Sequence, residues 1–226
     1  MKVDALIPAR GGSRRLPGKH MLELGGRPLV DWTLAAAREA GIFRRACLSS
    51  DDATLRERAL VLGLDIFPPR PADLASDDCP SSAVVAHYLD WCRDQGLGEP
   101  DWLMLLQPTS PLRGSARVCE AWEMARAQDG EVVSLGPLEK PLAWCRQVRE
   151  GRARAWAFPE PAPLWRLNGA IYLTRVERFR REGTLLSGDP LALCMEGWES
   201  VDVDTLDDLL LARALLESRF GRGGSA

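Results

Sequence analysis

Short apolar runs alternate with longer segments of helical period along most of the chain. Val3 to Ile7 reads as a strand, and apolar positions then recur with helical spacing from Leu29 to Ala40, where Gly41 stops them. Ala46 to Ser49 reads as a second strand and Ala53 to Leu62 as a helix ended by Gly63. Asp65 to Phe67 reads as a third strand running into Pro68 and Pro69. A helix over Ser82 to Gln95 precedes Trp102 to Leu106, an unbroken apolar run that suits a strand covered on both faces and so a central place in a sheet. Ala116 to Gln128 follows as helix and Glu131 to Leu135 as strand. From Pro137 to Leu167 the pattern breaks into proline, arginine and tryptophan, after which Ala170 to Thr174 reads as strand and Leu206 to Glu217 as helix. This alternation predicts a parallel α/β fold in one domain over residues 1–220. The break at 137–167 is then an insertion or small subdomain, and the glycine-rich stretch 221–226 a flexible tail.

Composition narrows the function classes. The 226 residues are 46% hydrophobic and 27% charged, enough for one sizeable core. No stretch approaches the roughly 20 apolar residues of a membrane span, and the apolar run at Ala5 to Ile7 is too short for a signal peptide, so a cytoplasmic location is expected. The six cysteines form no CxxC pair, and His20 and His87 stand at no metal-ligand spacing to them, which disfavours a structural zinc site. The net charge of -3, from 29 basic and 32 acidic residues, is too balanced for bulk attraction to a nucleic-acid backbone. Any phosphate ligand must therefore be held by local groups.

Such groups cluster in the loop IPARGGSRRLPGK at 7 to 19. Gly11, Gly12 and Gly18 allow backbone amides to approach a ligand, and Arg10, Arg14, Arg15 and Lys19 bring positive charge. The loop has neither the spacing of a P-loop nor that of a dinucleotide fingerprint, and its competing reading is an ordinary strand-to-helix turn with surface arginines. In SVDVDT, at 200 to 205, Asp202 and Asp204 alternate with valines, which turns both carboxylates to one face; a magnesium ion suits that pair, although Asp204 or Thr205 could equally cap the next helix. LMLLQPTSPLR, at 103 to 113, runs from the apolar strand into a turn carrying Gln107, Thr109, Ser110 and Arg113, where open α/β sheets bind ligands. Arg70 and Ser81, in the segment 67 to 82, offer hydrogen bonds to a nucleobase or sugar, in what could also be a plain connecting loop.

Taken together and in order, IPARGGSRRLPGK, LSSDD (48 to 52), RPADLASDD (70 to 78), LLQPTSPLR (105 to 113), NGAIY (168 to 172) and SVDVDT resemble the acylneuraminate cytidylyltransferase family, which includes CMP-sialic acid synthetases. The resemblance implies a Rossmann-like nucleotidyltransferase fold: a mostly parallel central sheet flanked by helices, with a small inserted subdomain, here 137–167, that pairs two chains. It implies transfer of CMP from CTP to the anomeric hydroxyl of a 2-keto-3-deoxy sugar acid, with pyrophosphate released and Mg2+ as cofactor. Carried onto this chain, Arg10, Lys19, Asp202 and Asp204 would be catalytic, the two aspartates as metal ligands. Ala9, Arg10, Gly11, Gly12, Ser13, Lys19, Arg70, Cys79 and Ser81 would hold the nucleotide, and Gln107, Thr109, Ser110, Arg166, Asn168 and Tyr172 the sugar.

The chain departs from that pattern at three places. His20 follows the loop lysine where the family commonly has asparagine, and Asp78, Cys79 and Pro80 stand where it often has threonine and small residues, which bears on nucleobase preference. The family's lysine in the insertion and its Arg-Gln pair before NGAIY are not reproduced in register. Arg146, Arg152, Arg154 or Arg166 is then the candidate contact for the sugar carboxylate. Trp144, Trp156 and Trp165 suit a dimer interface better than a sugar pocket. The competing readings are a relative acting on legionaminate, pseudaminate or octulosonate, one using GTP, and a non-catalytic nucleotide-binding protein.

Overall fold

Alternation along the central strands divides their side chains between two helical layers. In the strand Trp102–Leu106 (β5), Trp102, Met104 and Leu106 enter one buried cluster while Leu103 and Leu105 enter another. That two-sided burial is why the run carries no polar residue. The chain was analysed as a computed structural model, which describes residues 1–65, 67–138, 146–149, 152–155, 164–186 and 188–221.

The other elements are β1 (Val3–Pro8), a short hairpin of β2 (Glu23–Leu24) and β3 (Arg27–Pro28), α1 (Leu29–Ala40), β4 (Arg45–Ser49), α2 (Ala53–Val61) and α3 (Ser81–Asp94). After β5 come α4 (Ser115–Gln128), β6 (Val132–Pro137), β7 (Arg146–Arg149), β8 (Arg152–Ala155), β9 (Trp165–Arg175), α5 (Val176–Glu182), β10 (Leu191–Cys194) and α6 (Leu206–Phe220). The six-stranded sheet has the order β10-β6-β9-β5-β1-β4, with β5 in its interior. β1 runs parallel to β4 and β5, β10 parallel to β6, and β9 antiparallel to both its neighbours. Helices α1, α2 and α4 cover one face through Val30, Leu34, Leu55, Val118 and Trp122, and α3 and α5 the other through Val85, Leu89, Val176 and Phe179. Helix α6 and the β2–β3 hairpin close a third cluster around Leu24, Trp32, Val203 and Leu216.

Of the expected third strand the described residues show one isolated parallel bridge, from Asp65 to Cys47; Ile66 lies outside the described residues, and Pro68 and Pro69 have no N–H to extend a ladder. SVDVDT also joins no sheet. Val201 and Val203 are buried and Asp202 and Asp204 half-buried, so the alternation holds without a ladder, fixed by a bond from Val203 N to Thr109 O of 2.7 Å. Thr205, not Asp204, caps α6, in a reciprocal box with Asp208.

In the segment 137–167, β7 and β8 pair as a two-stranded antiparallel ribbon and β9 begins at Trp165, earlier than Ala170. Trp144 and Trp156 lie outside the described residues, as do 222–226. Leu164, Trp165 and Leu167 are exposed.

Candidate active site

Parallel β1 and β5 end side by side, and the loops that follow them form the walls of a cleft at the carboxyl edge of the sheet. After β1 the loop is tied to the end of β4: Gly11 N donates to Asp51 Oδ1 at 2.8 Å, and Asp52 caps α2 by accepting from Leu55 N at 3.1 Å. A Cβ on Gly11 would lie 3.0 Å from Asp52 Cβ, so glycine permits this closure. The LSSDD string is thereby explained as the clasp of the loop. Gly18, at φ 65°, then starts a 3-10 turn over Lys19–Met21 that sets Lys19 and His20 into the cleft.

The cleft has a volume of about 150 Å3 and is lined by Arg10, Lys19, His20, Arg70, Cys79, Ser81, Gln107 and Thr109. A second depression of about 300 Å3, with Ser13, Arg14, Arg15 and Asp204 in its walls, shares Arg10, Lys19 and Asp77 with the first. The two form one groove.

Four of its cations are paired with two carboxylates. Lys19 Nζ donates to Asp204 Oδ1 at 2.8 Å, and Arg15 to Asp204 Oδ2 at 2.5 Å. Arg10 and Arg14 both pair with Asp77, whose bond to Arg10 holds its carboxyl below the ordinary range. Arg70 is 6% exposed and anchored to Ser49, by Nε on Oγ at 3.0 Å and Nη2 on O at 2.5 Å. Burial pushes its pKa down, against the pull of Asp51.

Asp202 has a buried Oδ1 with no partner among the described residues, and burial, helped by Asp204, raises its pKa against a Thr109 hydrogen bond and Lys19. A carboxylate oxygen left bare beside a second carboxylate fits a hard divalent cation. Among the described residues no three His, Cys, Asp or Glu side chains gather as a metal site, so the protein would supply two ligands and leave the rest to phosphate and water.

Of the residues expected from sequence, Arg10, Ser13, Lys19, Arg70, Cys79, Ser81, Gln107, Thr109 and Asp204 meet on this groove, with Asp202 against Thr109 and Lys19. Ala9 is fully buried and its amide bonds Ser49 O, while the Gly11 amide is already committed to Asp51; Gly12 faces open space. Ser110 and Asn168, expected at the sugar, are 1% and 2% exposed and do not reach the groove. The pairing of β6 with β9 shifts register between Val133 and Leu135, and side chains replace the lost ladder bonds. Ser134 Oγ accepts from Ile171 N at 2.7 Å and donates to Asn168 Oδ1 at 2.6 Å, while Asn168 Nδ2 donates to Ser200 Oγ at 3.0 Å. Arg166 donates to Ser200 O at 3.1 Å, and Tyr172 packs half-buried against the α3 cluster. NGAIY nonetheless touches the groove through Gly169, whose backbone lies against Gln107: a Cβ there would come within 2.8 Å of its Oε1.

His20 and Asp77 are among the groove residues that fall outside the expected set.

A profile of the cytidylyltransferase family matches residues 5–95. The CMP-N,N'-diacetyllegionaminic acid synthase of Legionella pneumophila is 30% identical over 96% of this chain and 97% of its own length. The N-acylneuraminate cytidylyltransferase of Streptococcus agalactiae serotype V is 34% identical over 93% of this chain, which spans 52% of that longer protein. The chain belongs to the acylneuraminate cytidylyltransferase family. The fold of this cytidylyltransferase also matches a CMP:2-keto-3-deoxy-manno-octonic acid synthetase solved with CTP, with a TM-score of 0.70 at 18% identity over 96% of this chain and 99% of that one. Among the described residues of this family member, no helix is long and apolar enough to cross a membrane.

Proposed function

We propose that the chain transfers CMP from CTP to the anomeric hydroxyl of a 2-keto-3-deoxy sugar acid of the sialic acid type and releases pyrophosphate. The observation that carries this reading is the groove itself, where Arg10, Lys19 and Arg70 line an extended polar site and Asp202 and Asp204 stand beside Lys19. Arginines and a lysine along a loop match a triphosphate, and a carboxylate pair matches its metal.

On this reading Asp77 and Asp204 act as internal counter-anions until nucleotide arrives. The triphosphate takes Arg10 and Arg14 from Asp77, and Lys19 leaves Asp204 to neutralise charge developing at the α-phosphate. The sugar hydroxyl attacks the α-phosphorus and gives up its proton to solvent, the bond to the bridging oxygen breaks, and pyrophosphate departs without a covalent enzyme intermediate. Positioning and charge stabilisation supply the catalysis. Asp202 and Asp204 would hold magnesium, which when bound lowers the hydroxyl's pKa or steadies the leaving group. Arg70, Ser81 and the backbone near Cys79 take the cytosine. Gln107, placed by Gly169, and Thr109 take the sugar. The exposed Leu164, Trp165 and Leu167 support pairing of two chains through the insertion.

The matched length of the legionaminic acid synthase favours a second acceptor of the same class, an N-acylated nonulosonic acid of the legionaminate type. Calorimetric titration with CTP, GTP and UTP in magnesium buffer tests the nucleotide assignment: CTP binds, GTP binds markedly more weakly, and chelation by EDTA abolishes turnover until excess magnesium is restored. Equal binding of CTP and GTP, or turnover insensitive to chelation, overturns it.

A further inference from the structure

We infer that Asp77 is a release latch: its carboxylate competes with pyrophosphate for Arg10 and Arg14, and by taking them back it speeds the departure of that product. The inference rests on the reading of the groove as a nucleotide site, and it adds a residue that works against binding.

The segment 71–80 is fixed at both ends. Before it, Arg70 is held by its amide on Ser50 O at 2.9 Å and by its guanidinium on Ser49; after it, α3 starts at Ser81. Between these anchors its backbone bonds are local, Leu74 N to Pro71 O at 3.0 Å and Cys79 N to Ser76 O at 3.4 Å. The segment lines the first depression through Leu74, Ser76, Asp77 and Cys79, and Asp77 also lines the second. It therefore stands where the two meet. There its Oδ1 takes Arg10 and its Oδ2 takes Arg14 Nε at 2.5 Å, one arginine on each oxygen. These bonds join the segment to the loop after β1.

An anion bridging two arginines is the arrangement a phosphate group would adopt. Stability does not account for it, since the Arg14 side chain is 86% exposed and exposed ion pairs add little to a fold. The bond to Arg10, with the charges of Arg10, Arg14 and Arg15, keeps the Asp77 carboxyl below its ordinary range despite some desolvation, so the competitor is ionised at working pH. Any phosphate ligand must displace it, and the affinity measured is net of that loss. Pyrophosphate has no base or sugar to hold it elsewhere in the groove, so its grip depends most on the contested arginines. Weakening a ligand acts mainly on its off-rate, and product release limits turnover in many enzymes.

The test titrates inorganic pyrophosphate, with magnesium, into wild type, Asp77→Asn, Asp77→Ala and Asp73→Asn. Asp73 lies on the 3-10 turn Ala72–Ala75 of the same segment and is exposed, so its variant removes an equal charge without touching the latch. Both Asp77 variants are expected to bind pyrophosphate roughly 3- to 10-fold more tightly than wild type, the range of one or two exposed ion pairs. In turnover they should be inhibited by correspondingly less added pyrophosphate. Asp73→Asn should stay within 2-fold of wild type. Urea midpoints near that of wild type establish that the variants are folded. The sign is diagnostic, because a residue that merely shaped the loop would weaken binding when lost. The inference is overturned if the Asp77 variants bind pyrophosphate no more tightly than wild type, or if Asp73→Asn tightens it as much. Failure of wild type and the Asp77 variants alike to bind pyrophosphate overturns the nucleotide-site reading and the inference with it, a result distinct from the other two.

Discussion

Asp202→Asn is expected to lower the rate of pyrophosphate release roughly 10²- to 10³-fold, the usual consequence of losing one electrostatic stabiliser of a charged transition state, without lowering the stability of the fold. The two halves of this expectation come from one observation. Asp202 is half-buried, with a bare buried oxygen, and burial raises its pKa, so its charge is held at a cost in the free protein. Asparagine keeps the shape and can keep the Thr109 contact but removes that charge. Folding then becomes no harder, and the urea midpoint should stay level or rise, as at other sites where function opposes stability. Rate by pyrophosphate release and stability by urea titration separate the two. A variant within a few-fold of wild type in rate removes Asp202 from the mechanism; one that fails to fold makes it a structural residue.

Asp4→Ala should do the reverse, costing about 3–5 kcal/mol of folding stability and leaving the groove intact. Asp4 lies on β1, towards the end away from the cleft, and is fully buried. Its carboxylate accepts from Arg44 at 2.9 and 2.7 Å, from Arg45 at 3.2 and 3.0 Å, and from Tyr88 Oη at 2.9 Å. Those bonds raise the pKa of Arg44, and burial, with its acidic neighbours, pushes the Tyr88 hydroxyl far up. Alanine would strand two guanidiniums and a phenol around a hole, and removing one partner of a buried pair is much costlier than the pair is worth. Thermal unfolding should shift down by roughly 10 °C for a chain of this size, with kcat per folded molecule unchanged. A shift of a degree or two would show that Arg44 and Arg45, which also reach Gly98 O, rehydrate without penalty.

Much of this architecture is written in local pattern, and the exceptions have physical causes. Leu29–Ala40 and Trp102–Leu106 are legible to the residue because one ends at a glycine and the other is apolar throughout. β10 and α5 escaped because LALC is too short to show a period and VERFRRE offers only Val176 and Phe179 to the core. Asp65 to Phe67 looked like a strand because Ile66 and Phe67 are large and apolar after a helix-ending glycine, but prolines follow it. The groove was legible where a motif residue lines it, as at Lys19, Arg70, Gln107 and Asp204. Asn168 and Ser110 are instead buried, Asn168 bonding Ser134 and Ser200 where the β6–β9 register shifts, and a polar residue in a motif does not announce whether it will face a groove or the interior of the sheet. The pairing of Arg10 with Asp77 was hidden because it joins two loops distant in sequence, and only the fold brings them together.

The central claim is tested most directly by measuring pyrophosphate release with each nucleoside triphosphate, in magnesium, against sialic, legionaminic, pseudaminic and octulosonic acids. The account predicts release with CTP and with a nonulosonic acid of the sialic or legionaminic type, and none when CTP or the acid is omitted. Folded protein that releases no pyrophosphate with any pair, or that prefers GTP, would contradict it.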